Sequence, residues 1–360
     1  MTGGMVIDQW RTPEEAREAG WAALVGGEDF FLTPDWMRVL QDSAGAWMAY
    51  LTATEEARLV AALPLVLADR GSPWALGRTD LLIRHCAAEG MAGAADVLTG
   101  FGDPDRLMPS MMCGGRHLGR TRLLLHPDAT ARSAHDVVER AERTAALHGC
   151  RSICFPYVDA SDRVQRQVLV ERGYLSHVSG EFAALTLPGE GFMDYAMALR
   201  SRRSRRVRAE RRRIEASDAV ISLEPLDPAE VPRLAALETE LFAKYGMTGW
   251  DPRRSEAVLY AAAERLGDRA LVTKAVLDGR IAGFGLVLSH GGDWFAHRAG
   301  FDYAAQGGLP LYYELLYYTL ADHAPRHGVK TVHYGIGSTD AKVSRGCTLS
   351  TQYLYVKELG

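Results

Sequence analysis

Residues 200–213 read RSRRSRRVRAERRR, nine arginines and one glutamate. The run carries +8, so the formal charge of −4 for the whole chain hides a body of −4 − 8 = −12 in the other 346 residues. Met197, Leu199, Val207 and Ile214 give the segment one sparse apolar stripe, the pattern of a long helix with a narrow contact face. Like charges at i,i+4 repel, and Glu210 is the single internal acid. Such a helix calls for negative charge beside it: the acidic body of the chain, or a polyanion such as nucleic-acid phosphate, a carrier protein or a lipid surface. A lipid surface suits it least, because an interfacial helix needs a wider apolar face.

The remaining composition narrows the class. A length of 360 residues predicts two domains, and 47% hydrophobic residues exclude disorder as the overall state. The longest apolar runs, Leu59–Ala68 and Leu309–Leu320, fall short of the ~20 residues a membrane helix requires. The N-terminus lacks a basic-then-apolar leader, and five cysteines make no disulfide framework, so a cytoplasmic protein without a membrane span is expected.

Helix starts are marked by a cap residue followed by proline at Thr12-Pro13, Thr33-Pro34, Asp227-Pro228 and Asp251-Pro252. Strand patterns alternate with them. Trp47–Thr52 and Leu59–Leu67 predict one hairpin, and Leu271–Leu277 with Ile281–Leu288 around Asp278-Gly279 predict another. Pro188-Gly189-Glu190-Gly191 is the best linker signal. The expected division is 1–188, an inter-domain basic helix over 189–217, and 218–360. The fold class is α/β: two similar halves, each a mixed, mostly antiparallel sheet flanked by helices.

This order of elements resembles the GNAT acyltransferase superfamily, and several phrases resemble its tandem, Fem-type members, the aminoacyl-tRNA-dependent transferases and their actinobacterial relatives. They are Thr33-Pro34-Asp35-Trp36, Gly191-Phe192-Met193-Asp194-Tyr195, Asp278-Gly279-Arg280-Ile281-Ala282-Gly283, Gly300-Phe301-Asp302-Tyr303, Tyr334-Gly335-Ile336-Gly337 and Lys342-Val343-Ser344-Arg345-Gly346, in that order over about residues 30–358. The resemblance implies an acyltransferase. The donor would be an aminoacyl-tRNA or, alternatively, an acyl-CoA or acyl carrier protein. The acceptor would be an amine, or a hydroxyl, of a small metabolite or cell-wall precursor. A non-catalytic binding protein on the same fold is the third reading.

The resemblance also distributes roles. Lys342 matches the lysine placed beside the donor ester, and Asp302 and Tyr303 fall where GNAT strands splay. Glu314, a lone carboxylate in an apolar helix, is a candidate base. Arg202, Arg205, Arg206, Arg208, Arg212 and Arg345 are candidate phosphate contacts, with Gln306, Gly307 and Gly308 at the position of the coenzyme A pyrophosphate loop. That stretch departs from the usual loop in spacing, and Pro310 removes a donor. No cofactor besides a coenzyme A donor is implied. Cys150-x3-Cys154 and the scattered histidines lack zinc-site spacing, so no metal is expected.

Overall fold

The computed structural model describes residues 5–72, 75–115 and 119–360. They form two compact units, one of residues 5–41, 45–182 and 350–360 and one of residues 42–44 and 183–349. The division falls at 182/183 rather than 188, within a strand, and the end of the chain returns to the first unit. The basic helix is not a separate linker, because its Val207 and Ile214 lie in the apolar clusters of the second unit. Among the described residues no helix is long and apolar enough to cross a membrane.

The first unit opens with β1 (Val6–Trp10), α1 (Pro13–Glu18) and α2 (Pro34–Ala44). Both helices begin as their sequences dictate, with the Thr12 and Thr33 hydroxyls accepting the amides of Glu15 and Trp36. The hairpin of β2 (Met48–Glu55) and β3 (Arg58–Ala68) turns through Glu56 and Ala57, both at positive φ. After α3 (Thr79–Ala88) and α4 (Ala94–Phe101) come β4 (Ser110–Cys113), β5 (Leu124–Leu125), α5 (Ala131–Leu147), β6 (Ser152–Asp159) and α6 (Arg163–Glu171). The strands order β1-β2-β3-β4-β6, and the last strand of the chain (Thr348–Glu358) adds to β6. Only β4 and β6 pair in parallel, with α5 as the crossover between them.

The second unit repeats this plan. Following the end of β7 (Leu175–Thr186) are α7 (Phe192–Ala198), α8 (Ser201–Glu215), β8 (Val220–Pro225), α9 (Val231–Lys244) and α10 (Pro252–Leu266). A meander of β9 (Ala270–Leu277), β10 (Arg280–His290) and β11 (Asp293–Phe301) follows. Asp278 and Gly279, at φ 47° and 72°, make the tight turn their sequence predicts. α11 (Leu311–Tyr313) runs through a π-helical turn, Glu314–Tyr318, into α12 (Thr319–His323), then β12 (Thr331–Gly335) and α13 (Thr339–Ser344). The order is β8-β9-β10-β11-β12, with β11 and β12 parallel and residues 183–186 of β7 added to β12. At Gly300 a Cβ would lie 2.4 Å from the backbone of Leu237 and Glu238, so α9 packs directly onto β11. The buried Arg298–Glu238 pair, 2.6 Å apart, pins the same crossing.

Candidate active site

The charge of α8 is divided by its geometry. Ser204, Val207, Glu210 and Ile214 are its buried positions. Glu210 accepts Arg206 Nε at 2.8 Å, and its other oxygen takes Arg345 Nη2 at 2.7 Å and the Tyr318 hydroxyl. Arg211 Nη1 donates to Glu314 at 2.6 Å, and Arg203 and Arg213 donate to the carbonyls of Val343 and Gly308. Intramolecular pairing therefore accounts for Arg203, Arg206, Arg211 and Arg213. The side chains of Arg202, Arg205, Arg208 and Arg212 have no hydrogen-bonding or ionic partner among the described residues. At 100° per residue these four share one sector of about 120°, opposite the buried stripe.

Two cavities flank that sector. On one side, a cavity of about 380 Å³ is lined by Arg208, Arg211 and Arg212 with Glu215, Asp322, Phe192 and Met193. On the other, a cavity of about 350 Å³ is lined by Arg202, Arg203, Arg206, Ser344 and Arg345. Arg345 is 1% exposed and held through each of its three nitrogens: Nε to the Tyr318 hydroxyl at 2.9 Å, Nη1 to Ser344 Oγ at 2.7 Å, Nη2 to Glu210. Its guanidinium stacks 3.5 Å from the Tyr313 ring centroid. Four arginines against the one carboxylate of Glu210 leave +4 − 1 = +3 around the cavity. A fixed concentration of guanidinium groups is suited to phosphate.

A second cleft lies beyond the C-terminal ends of β11 and β12, lined by the segments that follow them and by the end of α9. The pairing of the two strands covers only Asp293–Phe295 against Thr331–His333, and beyond it they diverge. The 302–310 loop then leads into α11. Asp302 organises it: Oδ1 accepts the Ala305 amide at 2.9 Å, its carbonyl accepts the Gln306 amide, and Oδ2 takes Arg233 Nη2 at 3.1 Å. The Ala305 amide, with Arg233 beside it, holds the Asp302 carboxyl below its usual range. The resulting cleft of about 280 Å³ is lined by Lys244, Tyr245, Tyr303, Gln306, Tyr312 and Tyr313, among others. Lys244 Nζ sits 3.8 Å above the Tyr303 ring. Burial pushes the Tyr303 phenol up to about 12 and raises that of Tyr312, so both are hydroxyl donors at neutral pH.

In this loop the amides of Gly307 and Gly308 have no partner among the described residues, and several of their neighbours are engaged. The amides of Ala305, Gln306, Leu309 and Leu311 are already committed to Asp302, Gln306 and Leu309, and Pro310 has none. Gly307 and Gly308 make the bend at φ 54° and 81°, and the Gly308 carbonyl is taken by Arg213.

Lys342 and Glu314 stand apart from both cavities. Lys342 is 5% exposed, and its ammonium donates to the carbonyls of Tyr334, Gly335 and Ile336 at 2.8, 2.9 and 2.7 Å. All three protons are used on the end of β12, so none is left for an oxyanion. Burial draws the group down to about 8. Glu314 is fully buried, held by Arg211 and the Thr319 hydroxyl, with Oε2 lacking a partner among the described residues. Burial raises its carboxyl above 4.5, with Arg211 opposing. Both were expected beside the reacting ester; the structure places them in the frame. Among the predicted residues, Tyr303 and Gln306 meet in the aromatic cleft and Arg202, Arg206 and Arg345 in the arginine cavity. Sequence reasoning missed Lys244, Tyr245, Tyr313, Arg203 and Ser344. The five cysteines are all buried and unpaired, and burial pushes Cys154 up to about 12, far from a reactive thiolate.

Residues 200–343 match the family described as "Acetyltransferase (GNAT) domain". None of the curated proteins compared with the chain matches it. Among solved structures, FemX aligns with a TM-score of 0.65 at 11% identity, over 98% of this chain and 97% of that one. A tandem GNAT protein from the clavulanic acid biosynthesis pathway gives 0.58 at 14% identity, over 99% of each chain. The C-terminal domain of a lysylphosphatidylglycerol synthetase from Agrobacterium fabrum, titled as putative there, gives 0.55 at 11% identity, over 97% and 93%. Fold and family match together define a transferase built of two GNAT-like units, with the family match lying in the second.

Proposed function

We propose that the protein moves an aminoacyl group from an aminoacyl-tRNA to an amine, less often a hydroxyl, of a small metabolite or cell-wall precursor in the cytoplasm. The observation that carries this reading is the single wall, Tyr313 stacked on Arg345, between an arginine-lined cavity and an aromatic cleft. Phosphates at the 3′ end would lie against Arg202, Arg203 and Arg206, with Arg205, Arg208 and Arg212 continuing the track over the helix. The ester would then reach the cleft beyond the ends of β11 and β12. The likeness to FemX, and the Fem-type phrases of the sequence, support the same donor.

The reaction asks little of the protein. A neutral amine attacks the ester carbonyl, a C–N bond forms and the C–O bond to ribose breaks. The proton lost by nitrogen balances the one gained by the leaving hydroxyl. Tyr303, held neutral, is a lining hydroxyl able to supply that proton or to support the developing oxyanion. Arg345 and Lys342 act from behind, one fixing charge beside the phosphates and the other holding the end of β12.

An acyl-CoA donor is the second reading, favoured by the family match of the second unit. The engaged amides of Ala305, Gln306, Leu309 and Leu311 weigh against it, leaving only those of Gly307 and Gly308 for a pyrophosphate. Filter binding with total tRNA separates the two. Affinity that falls with salt at a log–log slope of about −0.7 per phosphate contact, or about −0.9 on duplex, supports the RNA donor. Saturable thermal stabilisation by coenzyme A with no RNA binding would replace it.

A further inference from the structure

The aromatic cleft of the second unit has a chemical bias that the transfer reaction does not require. Four of the side chains lining it are tyrosines (245, 303, 312 and 313), and none of its lining residues is an aspartate or glutamate. Its one charged lining group is Lys244, whose ammonium rests on the Tyr303 ring and has no carboxylate partner among the described residues. Asp302 is tied to Arg233 and the Ala305 amide, and Glu240, one turn earlier on α9, is not a lining residue, although its charge acts on the Tyr303 phenol. Lys244 is the last residue of α9, a helix locked onto β11 at Gly300 and by the Arg298–Glu238 pair. A cationic amine entering here meets an ammonium and no carboxylate among the lining residues. A planar ring meets tyrosine faces and edges, and an acidic group meets Lys244, the Gln306 amide and neutral phenol hydroxyls.

We propose that this cleft binds a small aromatic molecule carrying an acidic group, a carboxylate or similar anion, with Lys244 as its counter-ion. The proposal rests on the reading of the cleft as the transfer site. It narrows the molecule held there to an aromatic acid, in place of a simple alkyl or aryl amine whose only polar group is its cation.

Thermal-shift and calorimetric titration with 4-hydroxyphenylacetate and with tyramine, which differ in the acid and the amine, test it on the full chain. The acid should stabilise the protein saturably and the amine should not. Lys244→Met, at an exposed position, should weaken the acid by at least about tenfold, the worth of one charge-assisted hydrogen bond. Binding of inorganic pyrophosphate, read on the same samples, should be unchanged, because Lys244 is not among the residues of the arginine cavity. Equal or tighter binding of tyramine, an undiminished affinity in Lys244→Met, or no saturable shift with either probe would overturn the proposal. Loss of tRNA binding alone would overturn the donor reading and leave this one standing.

Discussion

At the residue scale, the buried charges are the parts most sensitive to change. Glu210→Gln keeps the shape but leaves the Arg345 guanidinium, 1% exposed, without a counter-charge. Breaking a buried pair in this way costs about 3–5 kcal/mol, readable as a lower urea midpoint at constant slope. Lys342→Met removes the donor shared by three carbonyls at the end of β12 and should cost at least about 2 kcal/mol. Glu314 supplies a pH signature. Its folded carboxyl is raised above 4.5, so the folded state holds the proton more tightly than the unfolded one. Its contribution to stability is full below 4.5 and is lost as pH rises through the raised value. Glu314→Gln, which fixes the uncharged form, should flatten that limb in pH-dependent unfolding. An unchanged limb would assign the dependence to other groups.

At the scale of elements, α8 is two devices in one helix: a paired side that belongs to the core and an unpaired side that faces outward. Arg205→Gln with Arg212→Gln should leave the thermal midpoint within about a degree, since surface charges away from partners contribute little. The same pair should lower the salt slope of tRNA binding by about 1.4–1.8 if each arginine meets one phosphate. An unaltered slope would mean that the outward arginines meet no polyanion. The helix was legible in the sequence because the density of charge is local information. So were the helix starts at Thr12, Thr33 and Asp251 and the Asp278-Gly279 turn, each set by neighbours within a few residues. α3, whose cap position Arg78 makes no side-chain capping bond, and β4, four buried residues (Ser-Met-Met-Cys) without alternation, carried no such signal. The site was only half legible for the same reason. Arg202, Arg206 and Arg345 stand out by charge. Lys244 enters the cleft only through the packing of α9 on β11. The direction of the Lys342 ammonium depends on three carbonyls whose orientation no motif records.

At the scale of the whole molecule, the same strand order occurs twice, yet the arginine cavity and aromatic cleft both lie in the second unit. Repetition of the fold therefore does not repeat the site, and function follows the side chains mounted on one copy. The most direct measurement is the amine-dependent deacylation of charged total tRNA by the intact protein and by Arg202→Gln/Arg206→Gln. We predict that deacylation accelerates with a candidate amine, yields an amide product, and falls at least about tenfold in the variant, as expected for the loss of two charge-assisted phosphate contacts. Deacylation that ignores both amine and substitution, alongside transfer from an acyl-CoA, would contradict the account.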